Sequence, residues 1–128
     1  MSEVSFFVPI PRLKMVIQAN RPIKHYGHKQ SMVDRLQVIT RTAWEQAGSP
    51  AITVPTRCIY AVQRPTNIRY DPANWQPSIK AMIDGLVKAG ALEEDNKDVL
   101  QGPDPRHHGK GELGVWLTFT DWEGCNGN

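Results

Sequence analysis

The 128-residue chain contains no stretch approaching the roughly 18 uninterrupted apolar residues of a membrane-spanning helix, so none is expected. Its opening residues, MSEVSFFVPIP, lack the basic segment and small-residue cleavage site of a secretory signal, and the expected location is the cytoplasm. Cysteine is scarce. Cys58 and Cys125 are too few for a disulfide framework or a Cys/His zinc site, and Cys58, set in an apolar run, is expected to be a small core residue. His107 and His108 have no cysteine or third histidine nearby, which argues against zinc there as well. Internal repeats, linkers and low-complexity tracts are also missing. A length of 128 residues suits one domain over residues 1–128, with a frayed tail from about residue 122. What remains, 40% apolar and 22% charged, is a globular composition.

The net charge of +2 hides a division along the chain. Residues 1–70 carry ten basic side chains against three acidic ones, whereas residues 71–128 carry five against ten. A basic half suits a polyanionic partner, and a separate carboxylate cluster suits a cation. Two solvated faces of opposite sign would have the same composition, so the division matters only if a motif joins the halves.

Periodicity supplies the elements. Val4, Phe6, Val8 and Ile10 alternate as a strand that Pro9 and Pro11 place at an edge or end. KMVIQ is weighed as a short second strand, and ANRPIKHYGHK as a polar loop whose Arg21, Lys24, His25 and Lys29 form a mobile basic segment that suits either a polyanion clamp or a solvated loop. From Ser31 to Ala47, Met32, Val33, Leu36, Ile39, Ala43, Trp44 and Ala47 share one helical face; Ser31 and Asp34 resemble a capping box, and Gly48 and Pro50 supply the stop.

In AITVPTRCIYAV, alternate residues from Ile52 to Val62 predict a strand, with Pro55 arguing for an edge or a bulge. A second helix is predicted from Gln76 or Pro77, with a core face of Ile79, Met82, Ile83, Leu86 and Gly90 and a polar stripe of Lys80, Asp84 and Lys88. Trp75 lies outside that period and is expected to pack the turn rather than stack on a base. VLQG predicts a short strand, PDPRHHGKG a loop, and ELGVWLTFTDW a last strand. The fold class is therefore α+β, with one mixed or antiparallel sheet and two main helices.

The carboxylates stand at two places. Asp71 follows the strand region and precedes the second helix, while Glu93, Glu94 and Asp95 lie in the turn after it. A helix of about 14 residues is roughly 21 Å long, so Asp95 reaches Asp71 only if the chain folds back towards a return strand near Val99. A hard cation such as Mg²⁺ takes oxygen ligands from carboxylates, water and substrate phosphate, and Lys80 would add positive charge beside them. Solvated turn chemistry accounts for the same residue types.

The stretch RYDPANWQPSIKAMIDGLVKAGALEEDNKDV, residues 69–99, resembles the signature of the RusA-like family of crossover junction endodeoxyribonucleases, common in phages and prophages. That signature has a basic stretch, then Asp-x-Asp-Asn, a lysine, a helix with Asp-Ala-Leu or Asp-Gly-Leu, an Ala-Gly end and an Asp-Asp turn. The corresponding residues are Arg69, Asp71 and Asn74; Lys80; Asp84, Gly85 and Leu86; Ala89 and Gly90; and Glu94 and Asp95, followed by Val99. The resemblance implies a homodimeric, Mg²⁺-dependent endonuclease, with Mn²⁺ as a substitute, that cuts four-way (Holliday) DNA junctions in paired symmetric positions. Two symmetric cuts need two active sites, which a twofold dimer supplies.

The same resemblance assigns catalysis to Asp71, Lys80 and Asp95, with Asp71 and Asp95 as metal ligands. Ala73 stands where the family has its middle aspartate, and three extra residues separate Asn74 from Lys80, so Asn74 and Glu94 are the candidates for the missing oxygen donor. Arg69, Arg21, Lys24 and Lys29 are the expected DNA contacts. The departure at Ala73 leaves a second expectation open: a non-catalytic protein that binds branched DNA with a reduced metal site.

Overall fold

The computed structural model describes residues 3–21, 23–66, 70–93 and 99–122. The chain runs through β1 (Glu3–Pro9), α1 (Tyr26–Gln46), β2 (Thr56–Arg64), α2 (Gln76–Lys88), β3 (Leu100–Lys110) and β4 (Gly114–Asp121), with short 3-10 turns at Leu13–Met15 and Pro72–Trp75. The strands form one mixed sheet in the order β1-β4-β2-β3. β4 is antiparallel to both β1 and β2, whereas β2 and β3 run parallel, joined by the crossover that contains α2. This is the α+β architecture expected from the sequence.

One face of the sheet is buried under the two helices. Phe6 and Val8 from β1, Cys58, Tyr60 and Val62 from β2, and Val115, Leu117 and Phe119 from β4 occupy alternate positions on it. They belong to the same buried cluster as Leu36 of α1 and Ile79, Met82, Ile83 and Leu86 of α2. The apolar period of α2 thus lies inward as predicted, with Lys80, Asp84 and Lys88 exposed on the other side. Gly90 is not in the core. It is exposed at φ +84°, where it closes the helix: its N–H donates to the Val87 carbonyl at 3.1 Å and that of Ala91 to the Leu86 carbonyl at 2.9 Å. Gly48 and Ser49 end α1 in the same way, donating to Glu45 and Trp44.

Four local expectations fail for identifiable reasons. KMVIQ is not a strand, because Val16 and Ile17 are neighbours in sequence and both are buried, which a strand with one covered face does not permit. Helix α1 begins at Tyr26, five residues before Ser31, so the capping box is not used and Lys29 sits in the helix instead of a loop. The added turn from Tyr26 to Ser31 is exposed throughout and carries no apolar period to reveal it; Asp34 there accepts a hydrogen bond from Gln30 at 2.9 Å. β2 starts after Pro55 and lies inside the sheet, because the proline falls outside the strand it was expected to weaken. Finally, PDPRHHGKG is not a loop: all of it except Gly111 belongs to β3. As an edge strand, β3 tolerates Pro103 and Pro105, and its order comes from pairing with β2.

The two helices meet at Gly85. A β-carbon at that position would lie 2.8 Å from the Cα of Gln37 and 2.9 Å from its carbonyl oxygen, both backbone atoms of α1. Gly85→Ala is therefore expected to force the helices apart and lower stability by about 1–3 kcal/mol, despite the better helix propensity of alanine. Urea unfolding with an unchanged slope and a lower midpoint would confirm it.

Candidate functional site

Asp71 has an extended backbone, with φ −106° and ψ 111°, and caps the Pro72–Trp75 turn. Its Oδ1 accepts the Ala73 N–H at 3.0 Å, and its carbonyl accepts the Asn74 N–H at 3.0 Å. DPAN is thus a turn closed by its own aspartate, which leaves the carboxylate exposed at the start of the crossover. Trp75, only 1% exposed, anchors this turn in the core, as its expected packing role requires.

The sheet holds the turn from below. The Tyr60 hydroxyl lies 2.9 Å from the Pro72 carbonyl and 3.0 Å from Gln76 Oε1, and Gln76 Nε2 donates to the Pro103 carbonyl of β3 at 3.2 Å. Burial pushes the Tyr60 phenol up to about 12, with the carboxylate of Asp71, Cys58 and the carboxylate of Asp104 adding to the effect. The phenol consequently stays protonated and remains a donor to the turn.

A second set of bonds joins the N-terminal segment to α2 and to the Asp71 turn. Ser78 is fully buried; its hydroxyl accepts the Ile17 N–H at 2.6 Å and donates to the Ile17 carbonyl at 2.9 Å. Two residues on, the Ala19 N–H donates to the Asn74 carbonyl at 2.7 Å. The chain carrying Arg21 and Lys24 therefore leaves directly from the wall of the Asp71 turn. Arg21, Lys24, His25 and Lys29 are all exposed.

Of the residues singled out from the sequence, Asp71 and Asn74 share one turn, and Lys80 lies on the exposed stripe of α2. Arg69, Glu94 and Asp95 lie outside the described residues. Among the described residues no three His, Cys, Asp or Glu side chains are grouped to hold a metal. Of the expected metal ligands that are described, Asp71 supplies the carboxylate and Asn74 shares its turn.

The structure adds groups that the sequence reading passed over. The Arg64 guanidinium stands 5.0 Å from the centre of the Tyr70 ring. The Tyr70 hydroxyl lies 3.0 Å from the Val62 carbonyl and 2.7 Å from His107 Nδ1. Burial raises the Tyr70 pKa, and the neighbouring Arg64 charge opposes that shift. Arg57 and Asp104 form an ion pair at 3.0 Å across β2 and β3. The contacts of His107 with Tyr70 and of Asp104 with Arg57 rest on the parallel pairing of β2 with β3, which short-range periodicity does not announce. Neither a protein-family model nor a curated protein matches the chain.

Two outcomes are expected. Ser78→Ala leaves both the N–H and the carbonyl of buried Ile17 without their partner, so thermal unfolding should show a loss of about 1–3 kcal/mol. Tyrosine titration followed near 295 nm should show one late phase near pH 12, removed by Tyr60→Phe. Because the folded state holds that proton above the ordinary value of 10.0, the stability contribution is complete below pH 10 and is lost as pH rises towards 12.

Proposed function

We propose that the protein is a Mg²⁺-dependent endonuclease that resolves four-way DNA junctions by paired symmetric cleavage, acting as a cytoplasmic homodimer of phage or prophage type. The observation that carries this reading is the tie between Ala19 and Asn74, reinforced by Ser78 and Ile17. It sets an exposed basic segment beside an exposed aspartate, the pairing that a phosphodiester substrate and its cation require. Residues 69–99 carry the sequence resemblance that names the substrate.

In this reading Asp71 and Asp95 hold the cation, with Mn²⁺ able to replace Mg²⁺ and with Asn74 or Glu94 as further oxygen donors. When bound, the ion neutralises phosphodiester oxygens and activates water. Lys80 supplies a positive charge for the phosphate in the transition state. Arg21, Lys24, Lys29 and Arg69 contact the DNA backbone, which fixes position on the duplex and makes affinity fall with salt. Tyr60 and Gln76 keep the Asp71 turn seated on the sheet. No described helix is long and apolar enough to cross a membrane.

Ala73 in place of a second aspartate favours a second reading: a protein that binds branched DNA without cutting it. A synthetic four-way junction separates the two. The nuclease reading expects symmetric nicks in Mg²⁺ or Mn²⁺, abolished by Asp71→Asn or Asp95→Asn and strongly reduced by Lys80→Ala, with junction binding retained. Salt-sensitive binding without product in either metal leaves the binding reading, and salt-independent binding removes both.

A further inference from the structure

The face of the sheet turned away from the helices is ordered in rows. Strand register places Phe7 beside Trp116, Trp116 beside Ala61, and Ala61 beside Arg106, so one row crosses all four strands. Next to it lie Ser5, Thr118, Ile59 and Asp104, and beyond these Glu3, Thr120, Arg57 and Gln101. On β3, His107 meets Tyr70 on the helix side, so its neighbours Arg106 and His108 point to the open face.

The first row is aromatic and held in place. The Phe7 and Trp116 rings are 5.3 Å apart, and the His108 ring stacks on Trp116 at 5.7 Å and 23°. His108 reaches that far because the intervening side chain is only Ala61 and because the register shifts between Val62 and Gln63. Trp116 Nε1 donates to Gln63 Oε1 at 3.2 Å, while Gln63 Nε2 donates to the Glu112 carbonyl at 2.8 Å, so the indole is fixed by its polar end. Gly114 has no side chain because the Phe7 ring occupies that space.

Charge divides this face. Arg106 and His108 are exposed around the aromatic row, and Lys110 follows at the end of β3. Of the nearby acids, Asp104 stands in the adjoining row but is paired with Arg57, Glu3 lies two rows away, and Glu112 lines a groove against α1. An aromatic row edged by cations offers a π-surface for bases and positive charge for phosphates.

We propose that this open face, centred on Trp116 and edged by Arg106, His108 and Lys110, binds single-stranded nucleic acid by base stacking and backbone contact. The site is on the opposite face from the Asp71 turn and does not depend on the nuclease reading. Stacking against a pre-positioned indole tolerates any base, so the expected selectivity is for unpaired strands over duplex.

The test is fluorescence anisotropy with a labelled oligothymidylate of about 12 nucleotides, which spans a typical platform of this kind. All proteins carry Asp71→Asn, so that cleavage cannot intervene. Trp116→Ala should weaken binding by about tenfold or more, and Trp116→Phe far less. Arg106→Ala should reduce the slope of log affinity against log salt by about 0.7, as for one lost phosphate contact on a single strand. His108→Ala should weaken binding by severalfold. Arg106 and His108 are exposed, so these two variants decide the matter even if Trp116→Ala fails to fold, as circular dichroism would show.

Equal affinity and equal salt slope in both surface variants would overturn the proposal. So would sedimentation showing that Trp116→Phe or His108→Ala dissociates a dimer while leaving oligonucleotide affinity unchanged, since the face would then be a self-interface. Failure of the nuclease reading shows separately, as intact junctions with the unsubstituted protein while these variants still alter oligothymidylate binding.

Discussion

The reciprocal pair of hydrogen bonds between Ser78 and Ile17 is the constraint on which the arrangement turns. A buried backbone N–H and carbonyl would each carry a desolvation cost, and one hydroxyl satisfies both because it can donate and accept at once. That bond fixes where the N-terminal segment crosses the crossover connection. With Ala19 held to Asn74, it decides that the basic residues after Ile17 emerge at the Asp71 turn and not elsewhere on the surface. The start of the basic segment is thereby tied to the turn that carries Asp71.

The seam rests on the parallel pair β2 and β3. Tyr60 reaches from the covered face of the sheet to the Pro72 carbonyl, and Gln76 spans from that tyrosine to the Pro103 carbonyl. The turn is therefore bonded to both strands, and the phenol that bonds it resists ionisation because its surroundings are apolar and partly anionic. A carboxylate presented on such a turn has little freedom to wander, which is what orientation of a reacting group demands.

Much of this was legible in the residues, and the failures follow a pattern. The buried stripe of α2, the alternation in β1, β2 and β4, and the glycine stop at Gly48 all express local chemistry, and local chemistry is what periodicity reads. The first turn of α1 was invisible because it is exposed, so Tyr26, His28 and Lys29 show no apolar rhythm. The start of β3 was read from VLQG, but its continuation was invisible for the opposite reason: its prolines, glycines and histidines are ordered by a partner that is distant in sequence. Asp71 could be picked out by its place before a helix, whereas its connection to Arg21 and Lys24 through Ile17, Ala19 and Ser78 required two segments about 60 residues apart to be brought together.

The prolines of the sheet edges have one more effect. On one border, β1 ends at Pro9 and is followed by Pro11; on the other, Pro103 and Pro105 interrupt β3, which also carries Arg106 and Lys110. Each proline removes an amide that an incoming strand would need, and each cation makes a flat second sheet less welcome. The molecule is thus protected from growing by strand addition into an extended ribbon, and its broad surfaces, not its borders, are left as the places where other molecules can be received.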